Sequence, residues 1–340
     1  MPTVTIAEAL AKVKAALIAC GTAENNAAAV ARALVGAEAD GLKGHGLSRV
    51  PSYAAQVRAG KVVGDALPAV TRPRPALVAV DAAHGFAYPA LEAAVAALPD
   101  VARAQGVAAA AIRRSHHCGA AGRPVEALTQ QGLVAILFAN TPAAMAPWGG
   151  SRAVFGTNPI AFACPLPGQE PIVVDLSLSR VARGNILAAK QRGESIPEGW
   201  AMDAEGKPTT DPDAALWGTM APLGDAKGIA LALMVELLAA GLTGARFAAE
   251  ASSFLDATGD APGTGQLILA LDAGAFAADA IARFGALAAS IEAQEGARLP
   301  GMRRLALRRK AEREGIAVDY ALLAEITALA ENTADSALAP

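Results

Sequence analysis

The sequence predicts an α/β or α+β protein, and three observations carry that reading. From about Val70 to residue 293, apolar strand-like runs alternate with segments of helical period, the order expected of a sheet covered by helices. The two ends of the chain, 5–60 and 300–333, read instead as helices. The fingerprint GxGxxG and the P-loop GxxxxGK[ST] are both absent, so a dinucleotide, if one binds, does not sit on an ordinary Rossmann turn.

Thr5 followed by Glu8 is a capping-box pattern that starts the first helix. Gly21-Thr22 breaks the helical period, and Thr22 can cap a second helix running to about residue 40. A third helix is expected within 45–60 from near Ser48, because Pro51 is tolerated only in a first turn. ALVAVDAAHG (76–85) reads as a strand ending in a turn, which gives His84 a structural role. A helix at 88–106, a strand at 107–117 and a helix at 123–132 follow. LVAILFANTP (133–142), GTNPIAFACP (156–165) and PIVVDLSLS (171–179) read as strands. Gly193–Asp213, rich in proline and glycine, reads as a long surface loop. Lys227–Gly241 is a strongly apolar helix, Gly265–Leu271 a strand, 275–293 a helix and 300–333 a charged helical tail.

Composition narrows the class. The 340 residues suffice for two or three domains or one large α/β domain. A net charge of −3 with 18% charged residues offers no basic field for nucleic acid and no polybasic patch for a membrane. No apolar run is long enough to span a bilayer, and Glu8, Lys12 and Lys14 interrupt what a signal peptide would need. Cys20, Cys118 and Cys164, odd in number and without CxxC spacing, point to a reduced, cytoplasmic protein. The abundant alanine reads as a helix-favouring bias.

The chemistry concentrates in Gly41–Ala59, where His45 lies between Gly44 and Gly46, with Arg49 and Tyr53 following. An imidazole titrating near neutrality beside a carboxylate-gripping guanidinium suits protonation of a small organic acid. On residues alone, His45 reads equally well as a turn histidine and Arg49 as a surface ion-pair residue. His116 and His117 end the strand at 107–117, where neighbours face opposite sides. One of them should face a site and the other the core or solvent. They should not share a metal, and no HExxH or Cys/His cluster supports a metal site. In 148–159, Gly149, Gly150 and Gly156 near Thr157 and Asn158 suit a phosphate or carboxylate cradle. Asp175 in DLSLSR suits a ribose hydroxyl and the serines after it a phosphate, although a polar strand end looks the same. Lys227 stands at a helix start, as an anion ligand or a solvated lysine.

In order along nearly the whole chain, GHGLSRVPSY, SHHCGAAG, APWGG…GTNPIAFACP, VVDLSLS, IPEGWAMDAEGKPTTDP, PLGDAKG and RLPG resemble the type 2 malate/L-lactate dehydrogenase family. That family includes malate, lactate, sulfolactate and ureidoglycolate dehydrogenases, 2,3-diketogulonate reductase and the Δ1-piperideine-2-carboxylate reductases. The resemblance implies a non-Rossmann NAD(P)-binding α/β domain at 71–294 with a largely antiparallel mixed sheet. It also implies a helical domain at 1–70 completed by 295–340, and a homodimer. By the same resemblance His45 is the proton donor and acceptor, His117 a second catalytic histidine, and Arg49 and Thr157 substrate ligands. Cofactor contacts are implied for Thr141, Asp175, Leu176, Ser177, Leu178, Ser179, Lys227, Gly228, Gly301, Met302 and Arg303.

The implied reaction moves hydride between NAD(P)H and C2 of a small 2-oxo or 2-hydroxy acid of malate, lactate or sulfolactate type. NAD against NADP stays open, with Arg180 and Arg183 as candidates for a 2′-phosphate. Reduction of the cyclic imino acids Δ1-piperideine- or Δ1-pyrroline-2-carboxylate is the alternative. A non-catalytic small-acid-binding protein is the alternative from another class, and the intact DLSLS and PLGDAKG segments argue against it. A sulfonate would need a second cation, from Arg113, Arg114 or Arg152. Two positions depart from the family pattern. Gly44 stands where a serine usually precedes the histidine, and Met302 where glutamate is frequent.

Overall fold

The computed structural model describes residues 1–331. After β1 (Thr3–Val4), α1 (Ile6–Ala19) opens with the expected capping box, in which Thr5 Oγ1 accepts from Glu8 N and the Glu8 carboxylate accepts from Thr5 N. The next helix, α2 (Glu24–Ala39), is not capped by Thr22. Its N-cap is Ala23, whose N–H bonds to Gly64, and Thr22 Oγ1 is buried without a partner. Two 3₁₀ turns follow, Lys43–His45 and Leu47–Arg49. They precede α3 (Val50–Arg58), which carries Pro51 in its first turn but starts two residues beyond Ser48. Gly46 separates the turns because a Cβ there would overlap the Glu38 carboxylate, which accepts from Leu47 N at 2.9 Å.

The body is built on β2 (Ala69–Arg74), β3 (Leu77–Asp81), α4 (Ala87–Gln105), β4 (Val107–Ser115), α5 (Gly122–Thr129), β5 (Leu133–Ala139), β6 (Ile160–Leu166) and β7 (Gln169–Leu176). With β11 (Thr264–Asp272) they form a seven-stranded sheet in the order β2-β3-β4-β11-β5-β6-β7. β3 and β4 run parallel and every other neighbouring pair runs antiparallel, the largely antiparallel mixed sheet that was expected. Sequence reasoning missed β2, a fully exposed edge strand whose Pro73 an interior strand would not tolerate.

Side chains alternate across this sheet. Ala108, Ala110, Ala135, Ala139, Ala161, Ala163 and Ala270 are fully buried in the core shared with α1, α2 and α4. The opposite phase of the same strands, including Ala109, Ile136 and Leu267, packs with Ile186, Ala232 and Val235. Alanine therefore does more than favour helices. On a strand it lets the covering helix approach the sheet closely, so part of the compositional bias belongs to sheet packing.

Between β7 and β11 lie α6 (Arg183–Arg192), β8 (Ala201–Met202), β9 (Pro208–Thr209), α7 (Pro212–Trp217), β10 (Thr219–Met220) and α8 (Ala226–Glu236). The expected loop at Gly193–Asp213 thus contains two strands of a small three-stranded sheet, and α6 before it was not foreseen. α8 continues as a π turn over Leu237–Gly241, together covering the apolar helix read at Lys227–Gly241. The single helix expected at 275–293 is two, α9 (Ala273–Phe276) and α10 (Ala280–Glu292). The tail forms α11 (Met302–Glu314), β12 (Ile316–Ala317) and α12 (Tyr320–Glu331), and positions beyond Glu331 lie outside the described residues. β12 pairs with β1 and α12 packs on α1, joining the two ends of the chain. No described helix is long and apolar enough to cross a membrane.

A buried ionic cluster fastens the tail to the body. Asp40, after α2, and Glu126, on α5, are shared by Arg308 and Arg304 of α11, with Arg123 also on Asp40 at 2.9 Å. The two carboxylates hold the Arg308 guanidinium well above its ordinary pKa.

Candidate active site

β4 ends at Ser115, so strand alternation does not govern His116 and His117. Both rings enter one aromatic cluster with Tyr53 and Phe254. His116 is buried and its Nε2 lies 2.8 Å from Gln56 Oε1. His117 stacks on His45, with ring centroids 5.2 Å apart and planes 21° from parallel. Strand alternation does not separate the two: the chain leaves the strand before either is placed, and both are buried.

The partners of the stacked pair differ. His117 Nδ1 lies 2.7 Å from Tyr53 Oη, which lies 3.1 Å from Tyr88 Oη. His45 Nδ1 is buried and has no partner. Neither Nε2 is a buried orphan, so both open toward solvent-accessible space. Arg49, the half-buried N-cap of α3, donates from Nε to the Gly44 carbonyl at 2.7 Å, and its Nη atoms have no hydrogen bond among the described residues. With α3 starting at Val50 instead of near Ser48, Arg49 precedes the helix, and its charge still acts on both histidines.

Electrostatics set the resting state. Burial first, and the Arg49 charge second, lower His45 to about 4 and push His117 well below the usual histidine range. Burial, then Lys61 and Arg49, lower His116 to about 3. Burial lifts Tyr53 to about 12 and Tyr88 well above its ordinary value. At neutral pH the pocket therefore holds neutral imidazoles beside one guanidinium, an arrangement that attracts an anion.

The floor of this cluster is pinned from a distant part of the chain. Lys61, with a fully buried side chain, donates to the carbonyls of Ser253, Asp256 and Thr258 at 2.7, 3.1 and 2.6 Å. Gln56 Nε2 donates to the Phe254 carbonyl at 2.9 Å. Sequence reasoning singled out neither Lys61, Gln56 nor Phe254. Gln56 was legible in part, since it lies seven residues beyond Arg49 on the helical stretch already identified.

A second group of residues lies along the end of β7. Thr157 N donates to Thr141 Oγ1 at 2.9 Å, and Leu178 N donates to the Thr157 carbonyl at 2.8 Å. The hydroxyls of Ser177 and Ser179 are 2.7 Å apart. Leu223 N donates to the Leu178 carbonyl, bringing the start of α8, with Lys227 and Gly228, to the same strip. A Cβ on Gly228 would overlap the Leu223 carbonyl, so only glycine permits this close turn. Buried Glu236 anchors the strip by accepting from the Asn158 and Asn140 side chains and from Ala248 N, and neither Glu236 nor Asn140 was singled out from the sequence. Leu176 is exposed and Leu178 fully buried, so any contact from Leu178 is through its backbone.

Asp175 is engaged more than expected. Its Oδ2 accepts from Gly122 N at 2.7 Å, at the start of α5 and close to Arg304. It is exposed by area, yet desolvation by surrounding atoms raises its carboxyl pKa. Gly301, at φ +90°, packs against Val173 of the same strand. Met302 and Arg303 are exposed on the first turn of α11.

The arginines considered for a second anion separate clearly. Arg113 and Arg114 both pair with Asp81, at 3.2 and 2.7 Å, while Arg152, on the loop before Thr157, has no ion pair among the described residues. Arg180 pairs with Asp225 at 2.9 Å, and Arg183 donates to the Leu216 carbonyl at 3.2 Å. Among the described residues, no group of three or more His, Cys, Asp or Glu could hold a metal ion.

Comparison with known proteins bears on this geometry. Residues 4–327 match a family model described as malate/L-lactate dehydrogenase. A (2R)-3-sulfolactate dehydrogenase (NADP(+)) of Chromohalobacter salexigens is 52% identical over 327 residues, 96% of this chain and 98% of that one. A Δ1-pyrroline-2-carboxylate reductase of Ancylobacter novellus is 42% identical over 317 residues, covering 92% and 93% of the two chains. The crystal structure of Δ1-piperideine-2-carboxylate reductase from Pseudomonas syringae pvar. tomato superposes with a TM-score of 0.92 at 39% identity, covering 97% of this chain and 100% of that one.

Proposed function

This chain belongs to the malate/L-lactate dehydrogenase family, and from that premise we propose that it is an NADP-linked dehydrogenase of a small 2-hydroxy acid of sulfolactate type. Membership makes it an NAD(P)-dependent oxidoreductase acting on small acids. The single observation that carries the site assignment is the His45–His117 stack, open at both Nε2 atoms beside Arg49.

Arg49 grips the substrate carboxylate through its Nη atoms, while Nε stays on the Gly44 carbonyl. His45 gives a proton to the oxygen at C2 in reduction and takes it back in oxidation, with His117 as the second catalytic histidine. In the free protein both rings are neutral, ready to accept a proton. A bound anion raises both pKa values and offsets the Arg49 charge, so substrate binding itself makes the proton donor available. Thr157 would hold the second end of the acid. Arg152 is the uncommitted cation for a sulfonate, since Asp81 already takes Arg113 and Arg114.

The β7 strip fits a dinucleotide in its donor set. It offers paired serine hydroxyls, a helix start with Lys227, a glycine that no Cβ could replace, and Asp175 oriented by Gly122 N. When bound, the nicotinamide would supply or receive the hydride at C2. Thr141, Asp175, Leu176, Ser177, Leu178, Ser179, Lys227, Gly228, Gly301, Met302 and Arg303 would hold it, with Leu178 acting through its backbone. Support for NADP comes from the relative named for it; Arg180, beside Ser179, is already paired with Asp225 and would have to leave it to meet a 2′-phosphate. The exposed apolar side chains of α8 and the turn after it support a homodimer: Leu231, Leu233, Leu237 and Leu242 face outward.

A second reading, reduction of Δ1-pyrroline- or Δ1-piperideine-2-carboxylate, is favoured by the relatives with those names. The two are separated by following NADPH and NADH absorbance against sulfopyruvate, oxaloacetate, pyruvate and Δ1-piperideine-2-carboxylate. Turnover of sulfopyruvate with NADPH is expected. Turnover of the imine alone would replace the first reading with the second. Folded protein inactive with both cofactors on the whole panel would leave neither standing.

A further inference from the structure

His117 differs from His45 in one respect that the family-level reading does not use. Its Nδ1 ends a line of hydroxyls running into the core, Tyr53 Oη at 2.7 Å and then Tyr88 Oη a further 3.1 Å away. Both phenols are buried, and a Cβ on Gly119 would meet Tyr88 Oη at 2.7 Å, so the segment carrying His117 packs directly on the pair. The other charged and titratable groups around the ring are Arg49 and His45 from the 3₁₀ turns and His116 and Cys118 on its own segment. None of them hydrogen-bonds to His117.

We propose that Tyr53, backed by Tyr88, is a positioning residue that holds His117 in its working tautomer by accepting from Nδ1–H. The proposal rests on the reading of His117 as a catalytic histidine. With the ring neutral, Nδ1–H donates to Tyr53 Oη, the Tyr53 hydroxyl donates to Tyr88 Oη, and the Nε2 lone pair is free toward the site. A proton taken from the site onto Nε2 gives the imidazolium, and its return from Nε2 restores the same neutral ring, with Nδ1–H donating to Tyr53 throughout. The only proton transferred is the one on Nε2, and both phenols keep their own. Buried phenols suit this role because they stay protonated throughout the working range. The imidazolium, which burial disfavours, keeps its one hydrogen-bond partner in the protein.

The test uses Tyr53→Phe, Tyr88→Phe and the double variant, each nearly isosteric. It has two readouts: ¹⁵N NMR of the histidine ring nitrogens in cofactor-free protein, and the pH profile of kcat. In Tyr53→Phe the His117 Nδ1 signal should move and its titration shift about one pH unit toward acid. kcat should fall on the order of tenfold or more while KM holds. Tyr88→Phe should act in the same direction and less. The double variant should match Tyr53→Phe alone, because Tyr88 acts through Tyr53. An unmoved His117 signal in Tyr53→Phe, or losses that add in the double variant with the pH profile unchanged, would assign the phenols to packing and overturn the proposal. Failure of the functional reading is distinct: wild type would then be inactive on every substrate, while the cofactor-free NMR titration would still decide the tyrosine role.

Discussion

At the scale of single residues, His45 and Gly44 pose the sharpest questions. Removing the imidazole in His45→Ala should lower kcat by about 10²- to 10⁴-fold in steady-state assays while Arg49 still holds substrate. A loss confined to KM would count against the proton-transfer role. Gly44 is sterically free, since a Cβ there meets nothing within 4 Å and its φ is not left-handed. Gly44→Ser should therefore change stability by no more than about 0.5 kcal/mol in urea melts. His45 Nδ1 is buried without a partner next to that position, so an added hydroxyl should raise the His45 pKa, visible by NMR. A fall in stability well beyond that range would show that the glycine is needed for the backbone itself.

At the scale of elements, the active site depends on how loops are tied to helices. Lys61 satisfies three carbonyls of the 253–258 loop from the end of α3, and that loop carries Phe254 onto both buried histidines. Lys61→Met should destabilise the protein by roughly 2–4 kcal/mol and raise amide exchange across 252–260, because those carbonyls lose their donor. Unchanged exchange there would mean the loop is held by its own turns. α8 presents a different problem, being apolar on its outward side as well as its inward one. Leu237 is 54% and Leu242 67% exposed in the single chain. The proposed homodimer should fall to monomers in analytical ultracentrifugation when both are replaced with Asp; a wild type already monomeric, or an unchanged mass in the variant, would overturn that proposal.

At the scale of the whole molecule, two buried histidines, His116 and His117, and the half-buried His45 couple stability to pH. His45 and His116 are lowered to about 4 and 3, and burial also pushes His117 well below the usual histidine range. The unfolded chain binds these protons near pH 6.5 and the folded chain does not, so U holds more protons than N below that pH. Stability is thus flat above about pH 6.5 and falls as pH drops, by roughly 1.4 kcal/mol per unit for each such histidine until its folded pKa is reached. Denaturant melts at pH 7.5 and 5 should show it, and His116→Gln should flatten the slope. A slope the same in that variant would point to carboxylates instead.

Much of this architecture was legible because its signals are local. The Thr5–Glu8 box, the strands at 77–81, 107–115 and 133–139, and the helix closed by Gly106 depend on residues a few positions apart. The ordered motifs from GHGLSRV to RLPG determined the family, and with it the mixed sheet. The tertiary structure alone decided that His45 stacks on His117, that Tyr88 and Phe254 surround them, and that Asp175 is held by Gly122. It also decided which arginines are already occupied and that β1 pairs with β12. Local periodicity reports which face of an element is buried. It carries no record of which distant segment covers that face, and the chemistry of this site arises where such segments meet.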